Sequence, residues 1–527
     1  MKTKHKNIKI DLPNWLISSL LYGLSWSVIF NVSLSFLAWF AFIPLFISLE
    51  KKNTFWSFYK PALLFSILSY LIICHGFLFT PKKQIFFLLG AISELLMSSV
   101  AFALLYPFKK KFGFKKALIL FPFIIALWEW IYQWLDHTTG YLMLSHSQTR
   151  YTWIIQFIDL FGVWSIATWT MGFNVLLYFQ IKNLNGRRAD LGFFKRMVLV
   201  CGIMIFPPLF YAGFRYSNFK KRDKEKINIT LIHTNFDFSY EGSDRYVEKI
   251  ERLTNITDSA DYEFKRQGVK TDLYVWHEGA VDYGNDEDFY NFIETAVHDW
   301  KTPLLTGMRV IPFDTTHTDH RFVNRATLIQ DSVKRNKYQY YDKVHLASFT
   351  EKIPYHSILQ YIPGFPPLND NNWFKAGREI KLINLQNRAG AFVKIGTPIC
   401  IEQNYPAIWN AMVNAGANCF VQLSYESWWN LEYFKRQMAG ITRLRAIETR
   451  RCIARCSNSG ESMFIDKFGR IIQKAELREC SLTSNLELNN ELTFFSKHQL
   501  AFPLICLIFI TCLSAYQIIK RTINKFS

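Results

Sequence analysis

The chain has 527 residues, of which 50% are hydrophobic and 17% aromatic, and its formal net charge is +19. This length is too great for one ordinary domain, and 48 Phe are many for a soluble enzyme. The position of the charge excludes a nucleic-acid-binding protein, because residues 1–214 and 498–527 carry 23 Lys/Arg against 7 Asp/Glu, whereas 215–497 carries 38 against 35. The basic excess belongs to the hydrophobic ends of the chain, which is typical of a membrane protein.

Hydrophobic stretches that approach the ~20 residues needed to cross a bilayer precede and follow the polar block. They lie at 14–31, 33–49, 61–80, 84–107, 117–135, 154–180, 197–214 and 499–518. The first is not expected to be a signal peptide, since the second follows at once without a small-residue cleavage site between them. We predict a multi-pass α-helical membrane domain of about eight spans, in which the ionisable Glu94, Glu129 and Asp159 have a functional or packing role.

Lys and Arg are concentrated in alternate connections between these spans. There are 4 Lys/Arg in the N-terminus, 3 between the second and third spans, 5 between the fourth and fifth, 5 between the sixth and seventh, and 3 in the tail. The opposite short connections carry only Lys82, Lys83 and Arg150. Because cytoplasmic loops retain positive charge, both termini are predicted to lie inside, and eight spans then put residues 215–497 outside the inner membrane. We expect three parts: a membrane domain (1–214), an extracytoplasmic catalytic domain (215–497), and a last helix with a cytoplasmic tail (498–527).

The polar block alternates β-rich runs with helical patterns, which indicates an α/β sheet covered by helices. The predicted strands are 227–232, 272–276, 303–308, 322–329, 381–385, 392–401, 419–423 and 451–456, and the predicted helices are 243–266, 287–299, 404–415 and 433–449. The joints to the membrane are expected at about 215–226 and 486–497. Five cysteines fall in this block, an odd number that fits no complete set of disulfides.

Three polar residues each lie at the end of an apolar run. Glu278 ends residues 273–278 (LYVWHE), Lys343 lies in 341–346 (YDKVHL), and Cys400 lies in 398–402 (PICIE). Taken singly they are most simply interpreted as a helix cap, a surface charge and a small buried hydrophobe. At the ends of strands, however, they occupy the edge at which α/β sheets build sites.

Together these motifs resemble the carbon–nitrogen hydrolase (nitrilase) superfamily, which uses Glu, Lys and Cys in this order. With the membrane spans the resemblance narrows to the apolipoprotein N-acyltransferase family, and it extends over almost the whole chain. Residues 140–148 (GYLMLSHSQ), 443–448 (RLRAIE) and 455–460 (RCSNSG) support it. The resemblance implies a nitrilase-type αββα sandwich as the extracytoplasmic domain.

The resemblance also implies a two-step acyl transfer without a cofactor or metal ion. Glu278 would accept the proton of Cys400, the thiolate would attack a phospholipid ester, and Lys343 would stabilise the oxyanion. The α-amino group of a diacylglyceryl-cysteine at the N-terminus of an apolipoprotein would then attack the thioester. The implied partners are a phospholipid donor and a diacylated apolipoprotein acceptor, and we expect a monomer.

Further site residues are also implied by the resemblance. Glu351 corresponds to a second active-site glutamate, Glu402 to a supporting one, and Trp428 to a loop at the substrate entrance, although an ordinary core aromatic explains Trp428 equally well. The aromatic stretches 355–365 and 428–434 are also candidates for interfacial anchors. The chain departs from the family pattern at His277, Gly279, 347–351 (ASFTE) and 425–426 (YE).

Two alternatives remain open at this stage. One is a membrane-anchored, exported amidase or hydrolase of the nitrilase superfamily, in which water takes the acyl group. The other is a non-catalytic membrane receptor or transporter, for which the spacing of Glu278, Lys343 and Cys400 would be a coincidence.

Overall fold

The computed structural model describes residues 12–29, 32–75, 84–184, 190–218, 225–240, 245–282, 286–311, 321–331, 333–362, 373–428, 431–476 and 478–526. The end of the predicted third span (76–80), the centre of the predicted joint (219–224) and the basic N-terminus lie outside these residues. So do parts of the two aromatic stretches, at 363–365 and 429–430.

The N-terminal part of the chain is helical, as its hydropathy predicts. Its helices are α1 (Asn14–Ser25), α2 (Ile43–Glu50), α3 (Phe55–Cys74), α4 (Gln84–Phe112), α5 (Phe114–Tyr132), α6 (Ile158–Phe161), α7 (Trp164–Asn183) and α8 (Leu191–Asn218). A small antiparallel pair, β1 (Val28–Ile29) and β2 (Val32–Ser33), follows α1. Aromatic rings fill the interior of this bundle, which accounts for the high Phe content: Phe42, Phe65 and Phe102 are buried and pack on one another.

Within the described residues, four helices are long and apolar enough to cross a membrane. They are α3, the part Ile92–Phe112 of α4, α8, and the part Ala501–Asn524 of the C-terminal helix α15 (Ala501–Phe526). The chain over the first predicted span is helical only in α1, whose 12 residues extend about 18 Å against a hydrocarbon core of about 30 Å. The number of eight crossings therefore stays a prediction.

The three acidic residues in the predicted spans make structural contacts. Glu94 accepts hydrogen bonds from the backbone N–H and the hydroxyl of Thr139, at 2.5 and 2.8 Å, and Glu129 accepts one from the N–H of Leu144. Asp159 pairs with Arg450 at 2.9 Å. These contacts join the helices to the segment after α5 and to the polar block, which favours a packing role.

The polar block folds into two six-stranded sheets. The first has the order β14-β3-β4-β5-β6-β7 and the second β13-β12-β11-β10-β9-β8. Their bounds are β3 (Lys226–His233), β4 (Leu273–Val275), β5 (Leu304–Val310), β6 (Val323–Ile329), β7 (Gln339–Asp342), β8 (Ile383–Gln386), β9 (Phe392–Gly396), β10 (Cys419–Ser424), β11 (Ile453–Ser457), β12 (Met463–Ile465), β13 (Ile471–Lys474) and β14 (Cys480–Glu487).

The two sheets pack face to face through one apolar core, and helices cover their outer faces. The core joins Leu231 and Val275 of the first sheet to Leu423 and Ile453 of the second, and the Cys456 thiol lies 3.5 Å from the carbonyl oxygen of Val275. The remaining helices are α9 (Tyr246–Gln267), α10 (Glu287–Trp300), α11 (His356–Leu359), α12 (Pro406–Asn414), α13 (Glu432–Thr449) and α14 (Phe494–Lys497). The expected sandwich of sheets and helices is confirmed.

The eight predicted strands of the polar block are all present with small shifts at their ends, one of them is clearly shorter than predicted, and the block contains four further strands. The run predicted over 392–401 ends as a strand at Gly396, because Pro398 follows and the chain turns at Cys400. Strands β7, β12, β13 and β14 were not predicted. Strands β7, β13 and β14 are edge strands, and β12 lies next to the edge strand β13. Because β13 is exposed along its whole length, its sequence lacks the apolar run of a buried strand.

Candidate active site

Cys400 lies in a strained turn after β9. Its φ is +49°, in the left-handed region, which costs a residue with a side chain about 1–3 kcal/mol and persists only where the surroundings fix it. Neighbouring backbone fixes the turn. Ile399 forms an isolated β-bridge with Leu423, and the N–H of Leu423 donates to the carbonyl of Pro398 at 3.2 Å. The turn directs the half-buried Cys400 toward the end of β10, with its sulfur 4.0 Å from the carbonyl oxygen of Tyr425.

Glu278 follows β4, and its position depends on close contact with β5. The N–H of Gly307 donates to the carbonyl of His277 at 3.3 Å, and a Cβ at Gly307 would come within 2.6 Å of the Glu278 Cα. Only a glycine leaves room for this approach. Glu278 is buried, with 7% of its side-chain surface exposed.

Lys343 follows β7 and is buried, with 1% of its surface exposed. Its backbone N–H donates to the carbonyl of Asn324 at 2.8 Å, and its carbonyl accepts from Gly377 at 2.8 Å. The ammonium lies 3.2 Å from Oε1 of Glu278 and 2.9 Å from Oε1 of Glu351. The structure therefore brings Glu278, Lys343 and Glu351 into one buried ion cluster.

Burial and charge act together on the pKa values of this cluster. Burial raises the pKa of Glu278, Lys343 opposes this effect, and the charge of Glu351 adds to it. Burial alone would lower the pKa of Lys343, but the charges of Glu278 and Glu351 outweigh it and keep the group an ammonium ion. Burial also raises the pKa of the Cys400 thiol, and the negative charge of Glu278 raises it further. The resting thiol is therefore protonated beside a carboxylate.

One oxygen of Glu278 is available for a proton. Oε1 accepts from Lys343 and from Asn324, whereas the buried Oε2 has no hydrogen bond of ordinary geometry within the described residues. The Cys400 thiol is near enough to Glu278 to lower its pKa as a weak donor. This arrangement suits proton transfer from the thiol to the carboxylate.

Asn324 is a site residue that the sequence did not reveal. Its amide nitrogen donates to Oε1 of Glu278 at 2.7 Å and to Oε1 of Glu351 at 3.1 Å, so it holds the two carboxylates on either side of Lys343. It lies near the start of β6, a strand that also contains Arg325 and Thr327, so an amide side chain there was the only available signal. Such a signal does not distinguish a site residue from a residue in a sheet.

Glu402 joins the lysine segment to the cysteine turn. Its Oε1 accepts hydrogen bonds from the Tyr341 hydroxyl and from the N–H groups of Val344 and His345, at 2.8, 2.9 and 3.1 Å. Its Oε2 accepts from the N–H of Ile399 at 2.7 Å. Burial raises the pKa of Glu402 to about 7, although four accepted hydrogen bonds favour its carboxylate form.

Trp428 lies shortly after Tyr425, whose carbonyl oxygen is close to the Cys400 sulfur. It is half-buried, and its ring lies 5.9 Å from that of Tyr425 in an edge-on arrangement. Its place at the substrate entrance stays a prediction. The other cysteines of the polar block are free thiols, and Cys419, Cys452 and Cys456 are buried among apolar side chains.

The chemistry of the cluster is that of a nucleophile, a buried base and a buried cation. A thiol beside a carboxylate can be deprotonated as it attacks a carbonyl carbon, and an ammonium ion can stabilise the oxyanion that forms. Among the described residues, no group of three His, Cys, Asp or Glu side chains could hold a metal ion.

Comparison with known families agrees with this geometry. The family model described as carbon–nitrogen hydrolase matches residues 194–488, which is more than half of the chain. The chain belongs to the carbon–nitrogen hydrolase family. A second model, described as the apolipoprotein N-acyltransferase N-terminal domain, matches residues 18–176, so the resemblance covers the helical part of this family member as well.

Curated relatives match over nearly the whole length. The apolipoprotein N-acyltransferase of Chlorobaculum tepidum is 29% identical over 517 residues, which cover 93% of each chain. Apolipoprotein N-acyltransferase 1 of Treponema denticola is 26% identical over 505 residues and 89% of each chain. Among solved structures, Nit3 of Saccharomyces cerevisiae, a member of the nitrilase superfamily, is 16% identical with a TM-score of 0.37, over 53% of this chain and 94% of its own.

Proposed function

We propose that this protein transfers a fatty acyl chain from a membrane phospholipid to the α-amino group of the diacylglyceryl-cysteine of an apolipoprotein. The observation that carries the proposal is the buried cluster of Glu278, Lys343 and Cys400 in a chain with membrane-type helices. Relatives named apolipoprotein N-acyltransferase that match over 93% of their length support it. The enzyme is an N-acyltransferase that needs no cofactor for this chemistry.

In the first step the Cys400 sulfur forms a bond to the carbonyl carbon of a phospholipid ester while its proton passes to Glu278. Lys343, together with a backbone N–H beside Cys400, stabilises the negative charge on the carbonyl oxygen. The ester C–O bond then breaks, and Glu278 returns the proton to the leaving oxygen. A lysophospholipid departs and an acyl thioester remains on Cys400.

In the second step the neutral α-amino group of the acceptor attacks the thioester carbon. Glu278 accepts a proton from the attacking nitrogen and delivers it to the sulfur as the C–S bond breaks. The products are an amide on the lipoprotein and the free thiol of Cys400. A thioester suits this step because it divides one difficult acyl transfer into two easier ones.

Three other residues have supporting roles in this proposal. Glu351 helps to hold the Lys343 ammonium in place, and Glu402 fixes the lysine segment relative to the cysteine turn. Trp428 lines the entrance for lipid substrates. The partly exposed loop on which it lies is compatible with that role.

The proposed location is a bacterial inner membrane, with both termini in the cytoplasm and about eight membrane crossings. The alternation of Lys and Arg between connections supports this orientation. It puts a catalytic domain of residues 215–497 on the periplasmic side, between a membrane domain (1–214) and a last helix (498–527). We propose that the protein acts as a monomer.

The direct test is to trap the thioester. Purified protein mixed with phospholipid should gain the mass of one acyl chain, and a diacylated lipopeptide should remove that mass while becoming acylated itself. Cys400→Ala should gain no acyl mass and should lose at least about 10³-fold in transfer rate, as expected for removal of a nucleophile. Cys480→Ala is a matched control, because this half-buried cysteine lies on β14, away from the cluster.

The same experiment discriminates the alternatives. A Cys400→Ala protein that still acylated the lipopeptide would contradict the nucleophile assignment. Release of fatty acid at an undiminished rate without any acceptor would instead indicate a membrane-anchored hydrolase. Absence of acyl mass on the native protein with every phospholipid would favour a binding protein.

A further inference from the structure

The segment Ala347 to Tyr355, here termed the Glu351 loop, is held in an unusual conformation. Phe349 and Tyr355 have φ values of +68° and +54°, in the left-handed region that side chains disfavour. Inside the loop, Glu351 folds back on its start, since its Oε2 accepts from the N–H of Ala347 at 2.7 Å. A loop with two such residues needs outside contacts to persist.

Asp136 of the membrane part supplies contacts along the whole loop. Its backbone carbonyl accepts the Ser348 hydroxyl at 2.6 Å, its Oδ2 accepts the Tyr355 N–H at 2.6 Å, and its Oδ1 pairs with the Lys352 ammonium. Asp136 follows α5 by four residues. It therefore touches the start, middle and end of the Glu351 loop from the end of a helix in another part of the chain.

Neighbouring groups of the membrane part add to this contact. The His137 ring and the Tyr355 hydroxyl are joined by a hydrogen bond of 2.7 Å. On α4, a Cβ at Gly90 would lie 3.4 Å from the Phe349 ring, so that ring packs against the helix. The loop thus rests on α4 and on the segment after α5, in addition to the backbone hydrogen bonds that Glu351 and Lys352 donate to the Ala347 carbonyl at 2.8 and 3.2 Å.

We propose that Asp136 is a positioning residue, which holds Glu351 beside Lys343 through its contacts with Ser348, Lys352 and Tyr355. This inference rests on the proposed acyl transfer, because it gives the membrane part a role in the chemical step. The path is short: Asp136 fixes the loop, the loop fixes Glu351, and Glu351 accepts from Lys343 at 2.9 Å and from Asn324 at 3.1 Å. Substrate is not required to touch Asp136.

Loss of Asp136 should therefore lower the rate of the chemical step. Without the Asp136 side chain the loop loses an acceptor for the Tyr355 N–H and the partner of Lys352. Glu351 keeps its own hydrogen bonds to Lys343, Asn324 and Ala347, but the loop that carries it is held less firmly, so its position beside the ammonium is less precise. Misplacement of a catalytic group by about 1 Å can cost as much as 10²-fold in rate. Binding of the lipid chains, which involves other surfaces, should change little.

The test uses the full-length protein in detergent with phospholipid and a diacylated lipopeptide. Asp136→Ala should lower kcat about tenfold and leave KM for the lipopeptide within twofold, while peptides covering residues 347–355 exchange deuterium faster. Asp136→Asn, which keeps one acceptor oxygen, should recover part of the lost kcat. Glu50→Gln is the matched control, since it removes a partly exposed ion pair with Lys182 elsewhere in the membrane part.

Unchanged kcat in Asp136→Ala would overturn the inference, as would a raised KM at constant kcat or faster exchange throughout the chain. If the native protein fails to acylate the lipopeptide, the proposed function has failed. In that case deuterium exchange in Asp136→Ala still tests whether Asp136 holds the Glu351 loop. Faster exchange confined to 347–355 supports this role, and unchanged exchange overturns it.

Discussion

Glu278 and Glu351 are two carboxylates that share the ammonium group of Lys343, and this sharing sets the acid–base behaviour of the site. The distances of 3.2 and 2.9 Å are comparable, and Asn324 donates to both carboxylates. Because like charges in a buried site disfavour ionisation of each other, the charge of Glu351 raises the pKa of Glu278. Glu351 thus affects the base even though it does not contact the thiol.

Substituting Glu351 should therefore move the pH dependence of thioester formation. In Glu351→Gln the pKa of Glu278 falls, so the base stays ionised to lower pH, and the acid limb of the profile should shift to lower pH. The limiting rate should also fall, by about tenfold or less, because Lys343 loses one of its partners. The rate at which Cys400 gains acyl mass, followed from pH 4 to pH 9, measures both effects without involving the acceptor amine.

The control for this prediction is Glu287→Gln, at an acidic residue whose side chain is 82% exposed and pairs with Arg335 at the surface. Its acid limb should coincide with that of the native protein. An acid limb of Glu351→Gln that moves to higher pH, or not at all, would contradict the shared-cation description.

At the residue scale the sequence predicts the reacting groups that we propose, but not the residues that support them. Glu278 and Cys400 each follow an apolar run, whereas Lys343 follows a polar, Tyr-rich one, and the three motifs are distinctive enough to be found without a structure. Asn324 and Asp136 have no such signal, because their function depends on contacts across 46 and 212 positions, to Glu278 and Ser348. Local pattern does not encode contacts of that kind.

At the scale of elements, the site depends on how closely β5 approaches the end of β4. A Cβ at Gly307 would lie 2.6 Å from both the Cα of Glu278 and the carbonyl oxygen of His277, and 2.9 Å from the nitrogen of Gly279. All three neighbours are backbone atoms, which cannot rotate away as a side chain can. The missing side chain at Gly307 is thus a requirement for placing Glu278.

Gly307→Ala should accordingly reduce both stability and activity. Overpacking of a close contact costs about 1–3 kcal/mol, and the forced shift of Glu278 should lower the rate of thioester formation by about 10-fold to 10²-fold. Thermal inactivation midpoints and acylation rates in the same detergent measure the two effects. Gly213→Ala, where a Cβ meets nothing within 4 Å, should change neither, and an equal response of the two variants would refute the steric explanation.

The elements themselves were largely predictable. Central strands such as β10 are buried at every position and appear in the sequence as short apolar runs. The run over 392–401 was predicted to be one strand, but Gly396 and Pro398 end it before Cys400. The strand end and the nucleophile turn are therefore separate features, which hydropathy alone does not resolve.

At the scale of the whole molecule, polar contacts join the helical part to the sandwich. Asp159 pairs with Arg450 at 2.9 Å, and the Tyr405 hydroxyl donates to the carbonyl of Thr138 at 2.8 Å. Together with the contacts of Asp136, these make the helical part a support for the catalytic domain. The sequence predicted the two parts and their order, but it gave no sign of this interface, since the paired residues lie far apart in the chain.

The final helix, α15, provides a test of how the molecule is oriented in the membrane. Lys520, Arg521 and Lys525 follow the apolar part of α15, and positive charge at the end of a span favours the cytoplasmic side. Green fluorescent protein fused after residue 527 should therefore fluoresce, and alkaline phosphatase fused there should be inactive. Fusions to a chain shortened to residue 499, which lacks α15, should give the opposite pair of signals. The same signals at both positions would mean that α15 does not cross the membrane, and a reversed pattern would put residues 215–497 in the cytoplasm, away from the outer leaflet.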